Sequence, residues 1–226
     1  MHDANTKPPP LCAAADPAPQ PAGFAVPELA CDTHAHIFRN GAGHLLDSQR
    51  IYTPPEASLS AYQQLLSTLG LSRAVIVQPS VYGTDNTVTM ESVRTAGDHF
   101  RAVVVVEPDI SVKALQDYRD QGARGARVNL LFSSTANLDE TGLLAQKLAD
   151  QGMHLQILTD VSTIADLETI IQALPVDVVF DHFGHVPTQQ GIKTPGFQAL
   201  LRLLGSGQCW VKLSGAYRIT EQATPP

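Results

Sequence analysis

The run Asp32-Thr33-His34-Ala35-His36 sets two imidazoles two residues apart. In a strand that spacing turns both side chains to one face. Two imidazoles at one strand end suit a metal ion or a shared anionic substrate. A second group of titratable residues is Asp181-His182-Phe183-Gly184-His185, and a third is Lys212-Leu213-Ser214-Gly215 followed by Arg218. Arg127 and Asn129, again two apart, lie in the apolar run 125–131 (GARVNLL), where a guanidinium is costly unless paired. Side-by-side imidazoles in an interior are also costly without partners. His34, His36 and His182 are therefore read as functional. Asp181 is read as backing an imidazole, and His185 as orienting a loop or touching substrate. Tyr52 and Ser80 are loop residues whose spacing decides nothing by itself. His2, His44 and His99 receive no role, and His154 stands at the N-terminal end of its run.

These residues need elements to position them. Short β-branched runs occur at 30–37, 73–79, 101–107, 125–131, 154–160, 177–183 and 209–215. The central ones are apolar nearly throughout, as expected of parallel strands covered on both faces. Leu59, Tyr62, Leu66 and Leu69 recur at helical spacing, as do Ile164, Leu167, Ile171 and Leu174. Ser60 with Gln63 reads as a capping box. Gly70, Gly122 and Gly152 stand where a left-handed residue closes a helix before a strand. Alternation of this kind gives α/β architecture, either a (β/α)8 barrel or a doubly wound sheet. No Gly-x-Gly-x-x-Gly follows the first run, which removes the best sign of a dinucleotide fold. The expected fold is a (β/α)8 TIM-type barrel over 28–226 that lacks its last βα unit, since the chain stops just after the seventh strand. In such a barrel the site lies at the C-terminal strand ends, where the residues named above fall.

Composition excludes several classes. Of 226 residues, 43% are hydrophobic and 16% charged, with 22 acidic against 15 basic side chains and a net charge of −7. A nucleic-acid binder would need a basic footprint, and no apolar run approaches the ~20 residues of a membrane span. Cys12, Cys31 and Cys209 are odd in number and widely spaced, so they form neither a disulfide framework nor a zinc knuckle. A reducing cytoplasm is the expected location. Residues 1–27 differ in kind: seven prolines stand between positions 8 and 27. Such a segment buries too little apolar surface to offset ordering entropy, so it is read as disordered or draped, extended, over the barrel. Prolines interrupt its apolar stretch, which argues against a secretory signal.

The motifs Asp32-Thr33-His34-Ala35-His36-Ile37-Phe38, Gly122-Ala123-Arg124-Gly125-Ala126-Arg127-Val128-Asn129, Asp181-His182-Phe183-Gly184-His185 and Lys212-Leu213-Ser214-Gly215, in that order, resemble the amidohydrolase superfamily. The nearest branch comprises lactone hydrolases similar to 2-pyrone-4,6-dicarboxylate lactonase. The resemblance implies a (β/α)8 barrel and hydrolysis of a small carboxylated lactone by activated water. It matches His34, His36 and His182 to histidines around the reacting carbonyl, and Tyr52, Ser80, Arg127 and Arg218 to substrate-binding positions. It assigns the general base to an Asp at the end of an eighth strand, a position beyond Pro226.

Two departures bear on the substrate. The pyrone-dicarboxylate enzymes carry a second arginine where this chain reads Leu131-Phe132-Ser133, and a tyrosine where it reads Leu158-Thr159-Asp160. One carboxylate clamp is lost, so a muconolactone or sugar-acid lactone is expected rather than the dicarboxylate pyrone. The bridging Lys or Glu and the strand-5 His of binuclear members are missing too. The expectation is that no cofactor is required. One divalent ion such as zinc, held by His34 and His36, is the alternative. The competing functions are a metal-dependent decarboxylase or lactone isomerase of the same superfamily, or an inactive truncated barrel.

Overall fold

A computed structural model of the chain describes residues 9–39, 46–131 and 138–222. Six α-helices alternate with seven strands among these residues: β1 (Cys31–Ala35), α1 (Leu59–Leu69), β2 (Arg73–Val77), α2 (Thr87–Ala96), β3 (Phe100–Val104), α3 (Val112–Asp120), β4 (Ala123–Asn129), α4 (Leu138–Asp150), β5 (His154–Leu158), α5 (Leu167–Gln172), β6 (Val178–Phe180), α6 (Pro195–Gly205) and β7 (Cys209–Val211). This is the expected α/β alternation. The chain forms two compact units, Met1–Ala102 and Val103–Pro226, and the division falls inside β3.

In the first unit the strand order is β1-β2-β3. β1 pairs with β2 in parallel, Cys31 opposite Arg73 and Asp32 opposite Ala74. The register then slips, so that Ala35 faces Ile76. Three steps along β1 thus match two along β2, a bulge at the residues that carry His34. Ile76 and Val77 are buried completely. Ser58 caps α1 by accepting from the Ala61 amide, so the helix begins ahead of the expected Ser60 box. Gly70 closes it at φ 74°, and its amide bonds the Leu66 and Ser67 carbonyls. The described part of the proline-rich segment is tied to this unit: the Cys12 amide donates to the Thr53 carbonyl and the Thr53 amide to Pro10.

In the second unit the order runs β3-β4-β5-β6-β7, and the pairs from β4 to β7 are parallel. Leu155, Gln156, Ile157 and Leu158 of β5 are all buried, so both faces of this strand are covered. Helices supply the cover through Leu144 and Leu148 of α4, Ile171 of α5, and Leu200 and Leu203 of α6. The expected helix from Ile164 begins only at Leu167. A 3-10 turn at Val161–Thr163 comes first, with the Asp160 carboxylate accepting from the Ser162 amide, and Ile164 ends that turn extended. An Asx cap has won over apolar periodicity. Gly122 and Gly152 have positive φ (111° and 61°), as their places before strands require.

Candidate functional site

In the first unit β1 delivers the paired histidines. Their ring centroids are 5.0 Å apart and the planes cross at 85°. His36 Nδ1 lies 2.7 Å from the Val77 carbonyl. A carbonyl only accepts, so Nδ1 donates and Nε2 carries the lone pair of the neutral ring. That is the orientation in which neutral histidines serve as metal ligands. His34 is set through the backbone, its amide donating to Asp32 Oδ1 at 3.0 Å. Asp32 Oδ2 in turn accepts from the Tyr62 hydroxyl at 2.8 Å. Burial and the Asp32 charge push the Tyr62 phenol well above its ordinary range, so Tyr62 stays protonated as a donor. Tyr62 read as an apolar helix position, and its spacing gave no sign of this contact.

Of the expected substrate contacts in this unit, Tyr52 is half-buried in the loop before α1, and Ser80 opens a 3-10 turn, Ser80–Tyr82, after β2. The turn is held from within by Gln78, fully buried, whose amide nitrogen donates to the Gly83 and Asp85 carbonyls and whose oxygen accepts from Thr89. Phe132 and Ser133, where an arginine clamp is missing, lie outside the described residues, as do His2 and His44. His99 is exposed.

In the second unit four neighbouring strands converge their polar residues. Register sets Arg127 of β4 opposite Gln156 of β5, and Gln156 opposite Val179 of β6, two residues before Asp181. Phe180 faces Val211, so Asp181 and Lys212 leave their strands side by side. Arg127 Nε donates to Asp181 Oδ2 at 2.9 Å, and Gln156 Nε2 donates to the same oxygen at 3.1 Å. Lys212 Nζ stands 3.5 Å from Asp181 Oδ1 and donates to Gln156 Oε1 at 2.7 Å. Arg127 is 6% exposed and Asp181 0%. A buried carboxylate thus stands between two buried cations. Asp181 therefore anchors a guanidinium as well as adjoining His182. Gln156 and Lys212 carried no role in the sequence reading. The signal for Gln156 was a lone amide in an otherwise apolar strand, the same anomaly that singled out Arg127.

The chain leaves β6 through His182, Phe183, Gly184 and His185, whose φ values are 48°, 57°, 64° and 51°. Four successive left-handed residues, three of them not glycine, are costly at roughly 1–2 kcal/mol each for the non-glycines. The turn is held by the Phe183 amide on the Lys212 carbonyl and the Gly184 amide on the Asp181 carbonyl. It brings His182 and His185 together, ring centroids 5.5 Å apart at 74°. His182 Nδ1 is 2.9 Å from Ser214 Oγ, which fixes its ring. Gly215 sits against that ring at φ 66°, where a Cβ would come within 3.0 Å of His182 Nδ1 and 3.1 Å of Arg218 Cδ. His185 is 8% exposed and its Nε2 has no hydrogen-bond partner among the described residues. Burial, with the Arg218 charge, holds its imidazole below the ordinary histidine range. Arg218 is exposed, its guanidinium over the Tyr217 ring at 5.5 Å.

His154 is placed at the start of β5, as expected, with its ring over Gly125. Burial, and then the Lys212 charge, pushes its imidazole down to about 4. It is a neutral packing group. Among the described residues no helix is long and apolar enough to cross a membrane.

Residues 31–226 match the family model described as Amidohydrolase. The chain is 30% identical over 206 residues to a 4-sulfomuconolactone hydrolase of Hydrogenophaga intermedia, covering 90% of this chain and 68% of that protein. It is 28% identical over 212 residues to a D-galactarolactone isomerase of Agrobacterium fabrum, covering 92% and 70%. A solved structure of a probable 2-pyrone-4,6-dicarboxylic acid hydrolase from Acinetobacter baumannii, with citric acid bound, superposes with a TM-score of 0.78 at 27% identity, covering 86% of this chain and 73% of that one.

Proposed function

We propose that this chain, which belongs to the amidohydrolase family, opens a small carboxylated lactone with an activated water molecule. The observation that carries the reading is Arg127. Its Nε is engaged by Asp181, and no described residue bonds the rest of the buried guanidinium. A guanidinium held at one edge and presenting the other is suited to a carboxylate. Arg127 binds the substrate carboxylate, Asp181 and Gln156 fix its plane, and Tyr52, Ser80 and Arg218 complete the binding residues.

Attack by water on the lactone carbonyl places negative charge on the carbonyl oxygen, and donors aimed at that oxygen lower the barrier. His34, His36 and His182 take this role, His36 as the doubly protonated ring, since its Nδ1 proton is held by Val77 and only then does Nε2 have a proton to donate. The support is local to each unit: His36 is oriented by Val77, and His182 by Ser214. The general base belongs to the eighth-strand aspartate that the resemblance implies. The muconolactone class fits better than the dicarboxylate pyrone, because Leu131 begins the stretch in which the pyrone enzymes carry a second arginine.

The imidazoles polarise the carbonyl directly in this reading. The alternative is one divalent ion such as zinc, for which the neighbouring imidazoles of His34 and His36, ring centroids 5.0 Å apart, are a suitable class of donor. When bound, the ion would make water more acidic and polarise the carbonyl. Similarity to a lactone isomerase favours a second reading, in which a hydroxyl of the substrate replaces water as the nucleophile.

The test is turnover of a lactone panel by the protein extended through its eighth-strand aspartate and by the same protein carrying His182→Asn. The variant should keep its Tm within a few degrees and lose at least about a hundredfold in kcat, as for an oxyanion donor. Dialysis against a strong chelator separates direct polarisation, which survives it, from an ion-dependent site restored by zinc. Product identity separates hydrolysis from isomerisation. A His182→Asn enzyme that turns over normally refutes the reading.

A further inference from the structure

The left-handed turn His182–His185 presents two imidazoles, of which the mechanism above uses one. His182 is tied to Ser214. His185 is as deeply buried, yet its Nε2 bonds nothing among the described residues. A buried polar atom left unpaired costs about 1–3 kcal/mol, and the turn that holds it there adds backbone strain. A packing role would be met by an apolar side chain without either cost. The His185 ring rests edge-on to His182, so whatever His182 acts on lies within reach of this corner of the second unit. The same corner holds Arg218, whose charge acts on the imidazole and whose Cδ flanks Gly215.

We propose that His185 is a specificity-determining residue, whose buried Nε2 donates a hydrogen bond to an anionic oxygen on a second substituent of the lactone, a carboxylate or a sulfonate, beside Arg218. A neutral imidazole protonated at Nε2 supplies one directed donor and no charge. Arg218, exposed to solvent, supplies the charge at a lower desolvation cost than a second buried guanidinium would. Arg127 takes the carboxylate common to the class, and His185 with Arg218 reads the second group. The two subsites together select a lactone bearing two anionic groups.

The inference rests on the lactone reading, so its test compares two lactones. Muconolactone bears one carboxylate, and 4-sulfomuconolactone adds a sulfonate. His185→Asn keeps a side chain that tolerates left-handed backbone but is too short to reach the same oxygen. It should lose at least about tenfold in kcat/KM on the sulfonated lactone and less than about twofold on muconolactone. That selective loss of tenfold equals about 1.4 kcal/mol. His185→Gly, which relaxes the turn altogether, should show the same selectivity, with the Tm of each variant reported beside it. Equal losses on both lactones, or none, overturn the proposal. These measurements use the protein extended through its eighth-strand aspartate; if that wild type opens neither lactone, the result counts against the lactone reading alone, and titration with citrate then decides this one. Citrate binding weakened at least about tenfold in both variants supports His185 as an anion contact. Equal binding, or no citrate binding by the wild type, overturns it.

Discussion

His154 makes the second unit sensitive to acid in a calculable way. In the unfolded chain its imidazole titrates near 6.5, and in the folded protein it is pushed down to about 4, first by burial and then by the Lys212 charge. On acidification the unfolded state therefore takes up the proton first. Stability from this group is fully present above about 6.5 and is lost as pH falls toward about 4. One unit of difference is worth about 1.4 kcal/mol, and integration from pH 7 to pH 5 gives a loss of about 2 kcal/mol from this side chain. In a domain of this size that corresponds to roughly 4–8 °C in Tm. The check is urea unfolding of the wild type and His154→Gln at both pH values. Gln cannot titrate and keeps a polar group for the hydrogen bond that His154 shares with the Arg124 backbone. The wild type should lose about 2 kcal/mol more than the variant between pH 7 and pH 5. Parallel losses would show that His154 is not a buried neutral group and would refute the reasoning.

Three further outcomes follow from contacts. Arg127→Met leaves the Asp181 carboxylate paired with Lys212 and Gln156, so kcat/KM should fall at least about tenfold with little loss of stability by chemical denaturation; adding Asp181→Asn strands the Lys212 ammonium and should cost about 3 kcal/mol. Gly215→Ala places a methyl 3.0 Å from His182 Nδ1 on left-handed backbone, so kcat should fall at least about tenfold through a displaced ring while KM moves little. Gly125→Ala would bring a Cβ within 2.5 Å of His154 Nε2 and should destabilise by about 1–3 kcal/mol, a cost that Gly125→Ala/His154→Ala largely removes on thermal melting.

Much of this was readable in the residues. Uninterrupted apolar runs with glycine punctuation gave the alternation and the parallel strands, because burial on both faces leaves no alternative pattern. Paired polar residues at strand ends gave His34, His36, Arg127, Asp181 and His182, since each is costly in an apolar context. What escaped was set by register between strands. Nothing in Gln156 or Lys212 alone says that they share one carboxylate, because that depends on the alignment of β5, β6 and β7. The left-handed course of His182–His185 was hidden too, because Phe183 disfavours it and histidine, though it tolerates it better than most side chains, seldom adopts it. It is imposed by Gly184, packed against Leu200 and Val161 where a Cβ would come within 3.1 Å, and by the Lys212 carbonyl. The Ser58 cap and the Asp160 turn show the same limit on a smaller scale: local hydrogen bonds outbid periodicity at helix starts.

The buried carboxylate with its two cations also sets a timetable for the growing polypeptide. Arg127 and Asp181 are separated by 54 positions, and Gln156 and Lys212 by 56. A ribosome adding about 5–20 residues per second therefore exposes Arg127 roughly 3–11 seconds before its counter-charge exists. Over that interval β4 cannot be sequestered without stranding a bare guanidinium, so the nascent strand stays hydrated. Assembly of this half of the molecule is held open until Asp181 and then Lys212 emerge, and the four strands close as one late, cooperative event rather than one βα unit at a time.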